Sequence, residues 1–256
     1  MIRGYYNGKK TIGANYKAKI RYVIPAHLRD SIDSYTHCFA GISLGNEHFV
    51  PEKFTALARW IDHRFEHCII LIPDSVYAIS LQVSQGLTAA AAHYASNTLT
   101  ENFLAQNSYP FTTDLCNFMV VKSSSIVGSR EYESYYAALI DLFSNDKKFN
   151  MAIHAFVNAY LSRQAHILTA SPTYKQRCIT LSCQFILSEL AIAAYVVQQG
   201  YPVSLYPGSI ELFHEISAGE YPDIPASLIR LINVGIRFRR LKGNGQMKPL
   251  SPKKAA

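Results

Sequence analysis

Both ends of the sequence lack acid. Before Asp30 it holds Arg3, Lys9, Lys10, Lys17, Lys19, Arg21 and Arg29, with no Asp or Glu. After Asp223 it holds Arg230, Arg237, Arg239, Arg240, Lys242, Lys248, Lys253 and Lys254, again without acid. Two cationic ends around a milder body suit a polyanionic partner, since phosphate contacts release counterions; solubilising ends would give the same charge. Common signatures are missing as well. Without G-x-G-x-x-G or G-x-x-x-x-G-K-[ST] the familiar nucleotide-phosphate cradles are not indicated, and no H-E-x-x-H is present. His63 and His67, spaced i,i+4, lack a third metal ligand and read as a solvated helix face, so no metal is expected. No stretch reaches 18 uncharged apolar residues; the nearest candidate, 185–197, carries Ser188 and Glu189, so no membrane span is expected. No apolar signal core follows MIRGYYNGKK. Cys38, Cys68, Cys116, Cys178 and Cys183 form no C-x-x-C pair, which points to reduced core thiols and a cytosolic setting.

What is present suits one globular domain: 256 residues, 49% of them apolar. Residues 1–18 read as an irregular arm and 243–256 as a tail. Residues 35–43 (YTHCFAGIS) form an apolar run entering a turn, hence a buried strand. Phe54, Leu57, Ala58, Ile61 and Phe65 recur at helical spacing over 51–66, with Pro51 in the first turn. Residues 68–72 (CIILI) give a second strand, so strand, helix and strand make a parallel βαβ unit. Helices are expected over much of 75–106 and over 131–143, 149–168 and 174–199, with short strands at 202–206 and 231–238. The fold class expected is α/β: a three-layer, Rossmann-like parallel sheet with a helical second half.

Three features carry chemistry. Ser43 closes the first strand, where ligands bind in open α/β sheets. Gly41 and Gly45 flank it and allow a sharp turn and close substrate approach. Asn46 offers an amide donor to a developing oxyanion, although a Gly/Ser/Asn turn chosen for backbone geometry reads the same way. Glu189 lies on a helix apolar nearly all round, where a carboxylate is costly unless paired or used. It either pairs with an arginine such as Arg163 or meets a substrate cation; Phe185 lies one turn earlier on its face. Tyr206 ends a strand before Pro207-Gly208, as a proton relay or simply as a core cap. Phe39, Leu71 and Leu205 are the apolar residues expected to line the pocket.

In this order the pieces resemble the tRNA-dependent cyclodipeptide synthases. That family carries H-x-[LVI]-[LVI]-G-[LVI]-S, matched by His37, Gly41, Ile42 and Ser43, with Phe39 and Ala40 between. Its Y-[LVI]-x-x-E motif reads Phe185-Ile186-Leu187-Ser188-Glu189 here, and its catalytic tyrosine matches Tyr206. Tyr206-Pro207 is similar to one branch of the family, Asn46 to the other. The resemblance spans about residues 35–210. It implies a fold like the catalytic domain of class I tyrosyl- and tryptophanyl-tRNA synthetases, two aminoacyl-tRNAs as substrates, and no cofactor. Ser43 would carry an aminoacyl-enzyme and Glu189 would hold its ammonium. A second aminoacyl-tRNA would donate its amine to give a dipeptidyl-enzyme, and Tyr206 would move a proton as the ring closes. A monomer is the default.

Two departures follow. Phe185 lacks the family's hydroxyl, and no Lys or Arg occurs from Phe65 to Val121. Contact with tRNA is therefore expected at the basic ends: Lys9, Lys10, Arg237, Arg239 and Arg240. Two other readings stay open. Gly41-Ile42-Ser43-Leu44-Gly45 also satisfies the G-x-S-x-G elbow of serine hydrolases, with His214 late enough to serve as base. A tRNA-binding relative without catalysis is the third.

Overall fold

A computed structural model describes residues 15–108, 116–208 and 211–241. Lys9, Lys10 and the 243–256 tail lie outside these residues. The chain begins with β1 (Tyr16–Ile24), a strand that starts inside the stretch read as an arm. There follow β2 (His37–Gly41), α1 (Pro51–Asp62), β3 (His67–Ile72), α2 (Asp74–Gln85), α3 (Ala89–Gln106) and β4 (Asn117–Lys122). The second half holds α4 (Arg130–Asn145), α5 (Lys147–Leu161), a short α6 (Ala165–Leu168), α7 (Pro172–Gln198), β5 (Val203–Tyr206), short helices α8 (Glu211–Ser217) and α9 (Ala226–Ile229), and β6 (Ile232–Arg240).

The six strands form one sheet in the order β1-β6-β5-β2-β3-β4. All neighbours are parallel except β1 and β6, which pair antiparallel. The expected parallel α/β sheet is present, with an antiparallel edge that sequence did not announce. β2 sits between β3 and β5, so the connections leave it in both directions. That reversal opens a crevice at the carboxyl ends of β2 and β5.

Side chains alternate across the sheet and build two cores. Cys38 and Ala40 of β2 turn to the face covered by Phe54, Leu57 and Trp60 of α1. Phe39 and Ile69 turn to the opposite face, against the helices of the second half. The longest of these, α7, is started by Ser171, whose hydroxyl accepts from Tyr174 N at 3.3 Å, and by Pro172 in its first turn. Among the described residues it is the one helix long and apolar enough to cross a membrane, but most of that surface is buried against α2, α4 and α5. It is a core helix.

One local expectation fails. His63 follows the end of α1 and His67 belongs to β3, so they share no helix face. His67 instead stacks on His37, its in-register neighbour, with ring centroids 4.5 Å apart. All five cysteines are buried and free, as expected of core thiols.

Candidate active site

The crevice holds a cavity of about 510 Å³ between the sheet and helices α2, α5 and α7. Ser43, Glu189 and Tyr206 line it, together with Gly41, Asn46, Phe39, Leu71 and Phe185. These residues, drawn from four separate segments of sequence, meet in one place.

Leu205 does not join them. It is fully buried in the α1-side core, because adjacent residues of a strand point to opposite faces and Ser204 and Tyr206 take the cavity side.

Beyond β2, Ile42 N donates to Leu71 O at 3.0 Å, keeping the chain on β3 for one more residue. The backbone then turns, with Asn46 N donating to Ser43 O at 3.2 Å and Gly45 at φ 73°, a left-handed conformation open to glycine. A Cβ at Gly41 would meet no protein atom within 4 Å, which leaves room for a substrate. Asn46 caps the next turn by accepting from His48 N at 2.9 Å through Oδ1. Asn46 also lines the cavity.

Helical spacing brings Ser182, Phe185, Ile186 and Glu189 of α7 to the cavity wall. Desolvation pushes the Glu189 carboxyl up to about 7. Among the described residues no ion pair or hydrogen bond reaches it. Arg163 stands exposed at the cavity rim and does not pair with it. The Tyr206 phenol is raised by burial first and by the Glu189 charge second, while a hydrogen bond with Ser43 acts in the opposite direction. Ser43, Tyr206 and Glu189 thus face one another across the same cavity, with the Glu189 charge felt at the Tyr206 phenol.

Several lining residues had not been picked out from the sequence, notably Tyr22, Tyr77, Tyr160 and Asn233. Tyr22 comes from β1 and donates a hydrogen bond to Gly208 O, just beyond Tyr206. His214 is not among the lining residues, and no hydrogen bond joins it to Ser43. No cluster of three His, Cys, Asp or Glu able to hold a metal occurs among the described residues.

Arg237, Arg239 and Arg240 are exposed on β6. Asn233 faces the cavity, so alternation sets Gly235, Arg237 and Arg239 along the same face, leading away from it. Lys19 lies opposite Arg237 and Lys17 opposite Arg239. None of these four joins an ion pair among the described residues.

No curated protein matches the sequence. Among solved structures, a cyclodipeptide synthase from Fluoribacter dumoffii is similar at 22% identity and TM-score 0.74, covering 88% of this chain and 100% of that one. A Mycobacterium tuberculosis protein, described as relating cyclodipeptide synthetases to type I tRNA synthetases, is similar at 16% identity and TM-score 0.67, over 91% and 99% of the two chains. A cyclodipeptide synthase from Candidatus Glomeribacter gigasporarum, solved bound to Phe-tRNAPhe, gives 13% identity and TM-score 0.59, over 91% and 99%. These establish the fold. The cyclodipeptide synthase family itself matches residues 24–222, most of the length, including the segments that carry Ser43, Glu189 and Tyr206. The chain belongs to the cyclodipeptide synthase family.

Proposed function

We infer that this enzyme joins the aminoacyl groups of two aminoacyl-tRNAs into a cyclic dipeptide through a covalent intermediate on Ser43. The observation that carries the reading is the convergence of Ser43, Tyr206 and an unpaired Glu189 on one cavity. The Phe-tRNAPhe held by the similar Candidatus Glomeribacter enzyme supports the substrate class.

In the first step Ser43 Oγ attacks the ester carbonyl of an aminoacyl-tRNA. The C–Oγ bond forms, the bond to tRNA breaks, and the serine proton leaves on the tRNA hydroxyl. Asn46 Nδ2 supports the oxyanion. The ammonium of the captured residue then supplies the positive charge that Glu189 lacks. With its carboxyl near 7, Glu189 is matched to an α-amine and accepts one of its protons.

Atom balance reverses one expectation from sequence. If the second aminoacyl-tRNA donated its amine, the dipeptide would end on tRNA. For a dipeptidyl-enzyme, the amine of the Ser43-bound residue attacks the second ester, and the second tRNA leaves with the displaced proton. The new terminal amine then attacks the Ser43 ester: a C–N bond forms, C–Oγ breaks, and Tyr206 passes a proton from the amine to Oγ. Each step exchanges an ester for an ester or an amide, so the activation already in the substrates suffices without a cofactor. Tethering makes the closing step intramolecular, worth up to about 7–11 kcal/mol.

The β1–β6 ladder of Lys17, Lys19, Arg237 and Arg239, with Arg240 beside it, is a phosphate-binding face that leads to the cavity. The same reading takes the cytosol, where aminoacyl-tRNAs are made, as the setting and one chain as the working unit.

Mass spectrometry of medium from a bacterial host expressing the chain, beside a Ser43→Ala control, tests the reading. Cyclic dipeptides that appear with Ser43 and vanish without it are the expected result and name the product. Soluble folded protein that binds charged tRNA but yields no product would leave a binding relative.

A further inference from the structure

Tyr22 reaches the cavity by an irregularity in β1. Ile20 pairs with Ile236, but Tyr22 pairs with Gly235, so Arg21 is an extra residue in that strand. The bulge changes which face later side chains take. Ala18 and Ile20 pack into the α1-side core, whereas Tyr22, also an even-numbered residue, lines the cavity on the opposite face. A regular β1 would turn Tyr22 into the core.

The partner strand leaves space for it. A Cβ at Gly235 would collide with the Tyr22 ring, so the ring occupies the place of a missing side chain. From there the Tyr22 hydroxyl donates to Gly208 O, across 186 residues of sequence. Gly208 lies in the bend that follows Tyr206 at the end of β5. Bulge, glycine and hydrogen bond are three separate features, and they act on one turn.

We propose that Tyr22 is a positioning residue that clamps the Tyr206–Gly208 turn through the Gly208 carbonyl, holding the Tyr206 phenol on Ser43 for the ring-closing proton transfer. This rests on the function inferred above. Tyr22 touches no reacting atom; it acts through Tyr206. Displacement of a catalytic group by about 1 Å from remote changes costs up to about a hundredfold.

The test is a double-mutant cycle with Tyr22→Phe and Tyr206→Phe, following both Ser43 acylation by labelled aminoacyl-tRNA and release of cyclic dipeptide. Tyr22→Phe keeps the ring and loses only the bond. It is expected to lower kcat for cyclic dipeptide by about 10- to 100-fold with KM nearly unchanged, while Ser43 still acylates. In the Tyr206→Phe background it should add no further loss. Gly235→Ala keeps the hydroxyl but displaces the ring, and is expected to give the same kcat defect; it serves if Tyr22→Phe folds poorly. Wild-type turnover in both variants, or fully additive losses in the cycle, would overturn the clamp. If the wild type itself releases no cyclic dipeptide, the function is wrong instead. The clamp is then judged by fluorine NMR of fluorotyrosine-labelled protein: the resonance missing in Tyr206→Phe must shift in Tyr22→Phe, and an unmoved resonance rejects it.

Discussion

Asp74 accepts hydrogen bonds from Ser123 Oγ at 2.9 Å, Ser124 N at 2.9 Å and Ser124 Oγ at 2.6 Å, whereas Glu189 accepts none among the described residues. Burial alone would raise both carboxyls; at Asp74 the serine donors outweigh it and hold the group below its ordinary value. Glu189 is left near 7. One acid is structural and satisfied, the other waits for a cation. The sign of the stability effect follows. Folded Glu189 keeps its proton up to about 7, against an ordinary value of 4.5, so its favourable neutral form is fully present below 4.5 and lost as pH rises toward 7. The loss is on the order of 2–3 kcal/mol once partial exposure is allowed for. Glu189→Gln should therefore be more stable than the wild type near pH 8, equal to it near pH 4.5, and inactive at both. Denaturant melts at the two pH values check this, and an identical difference at both would contradict it. Phe185 shares the cavity wall and brings no donor. Phe185→Tyr adds one hydroxyl facing the ammonium, worth about 1 kcal/mol, so turnover should rise several-fold. Abolished activity would mean that α7 presents a different face.

At the scale of elements, the β1–β6 ribbon sets Lys17 against Arg239 and Lys19 against Arg237. Like charges directly opposite destabilise a ladder by about 0.2–1 kcal/mol a pair, so their gain lies in binding. Replacing Arg237 and Arg239 by Gln should weaken tRNA affinity and reduce its salt slope by about 2, with stability unchanged or raised. An unaltered slope, read from binding at several ionic strengths, would remove the ribbon from the interface. The elements also differ in how far sequence disclosed them. α1 and α7 were legible, α1 because Phe54, Leu57 and Ile61 recur at helical spacing, α7 because its long apolar run carries Glu189 as its one charge from Leu181 to Val197. β1 was not, since Lys17, Lys19 and Arg21 on its open face look like part of a basic arm. Leu205 was misassigned because its neighbour belongs to the cavity, and a strand turns neighbours apart. His67 was counted onto α1 because nothing in the local spacing announces that α1 ends at Asp62. Tyr22 could not have been found at all: a bulge is decided by the pairing of two strands and leaves no mark on either.

At the scale of the molecule, the resemblance read around Ser43, Glu189 and Tyr206 extended to a six-stranded sheet whose order fixes where those residues meet. That order has a consequence in time. Among the described residues β1 has one neighbour, β6, and their register joins Tyr16 to Arg240. During synthesis β1 leaves the ribosome long before β6 and waits for it before the two can pair. Tyr22 finds Gly235 only then, and Tyr22 and Asn233 complete the cavity wall only then. A chain stalled on the ribosome before Ile232 should neither acylate at Ser43 nor release product, and labelled aminoacyl-tRNA would reveal either event. By this topology an enzyme that draws on the substrates of translation stays silent until its own β6 has been made.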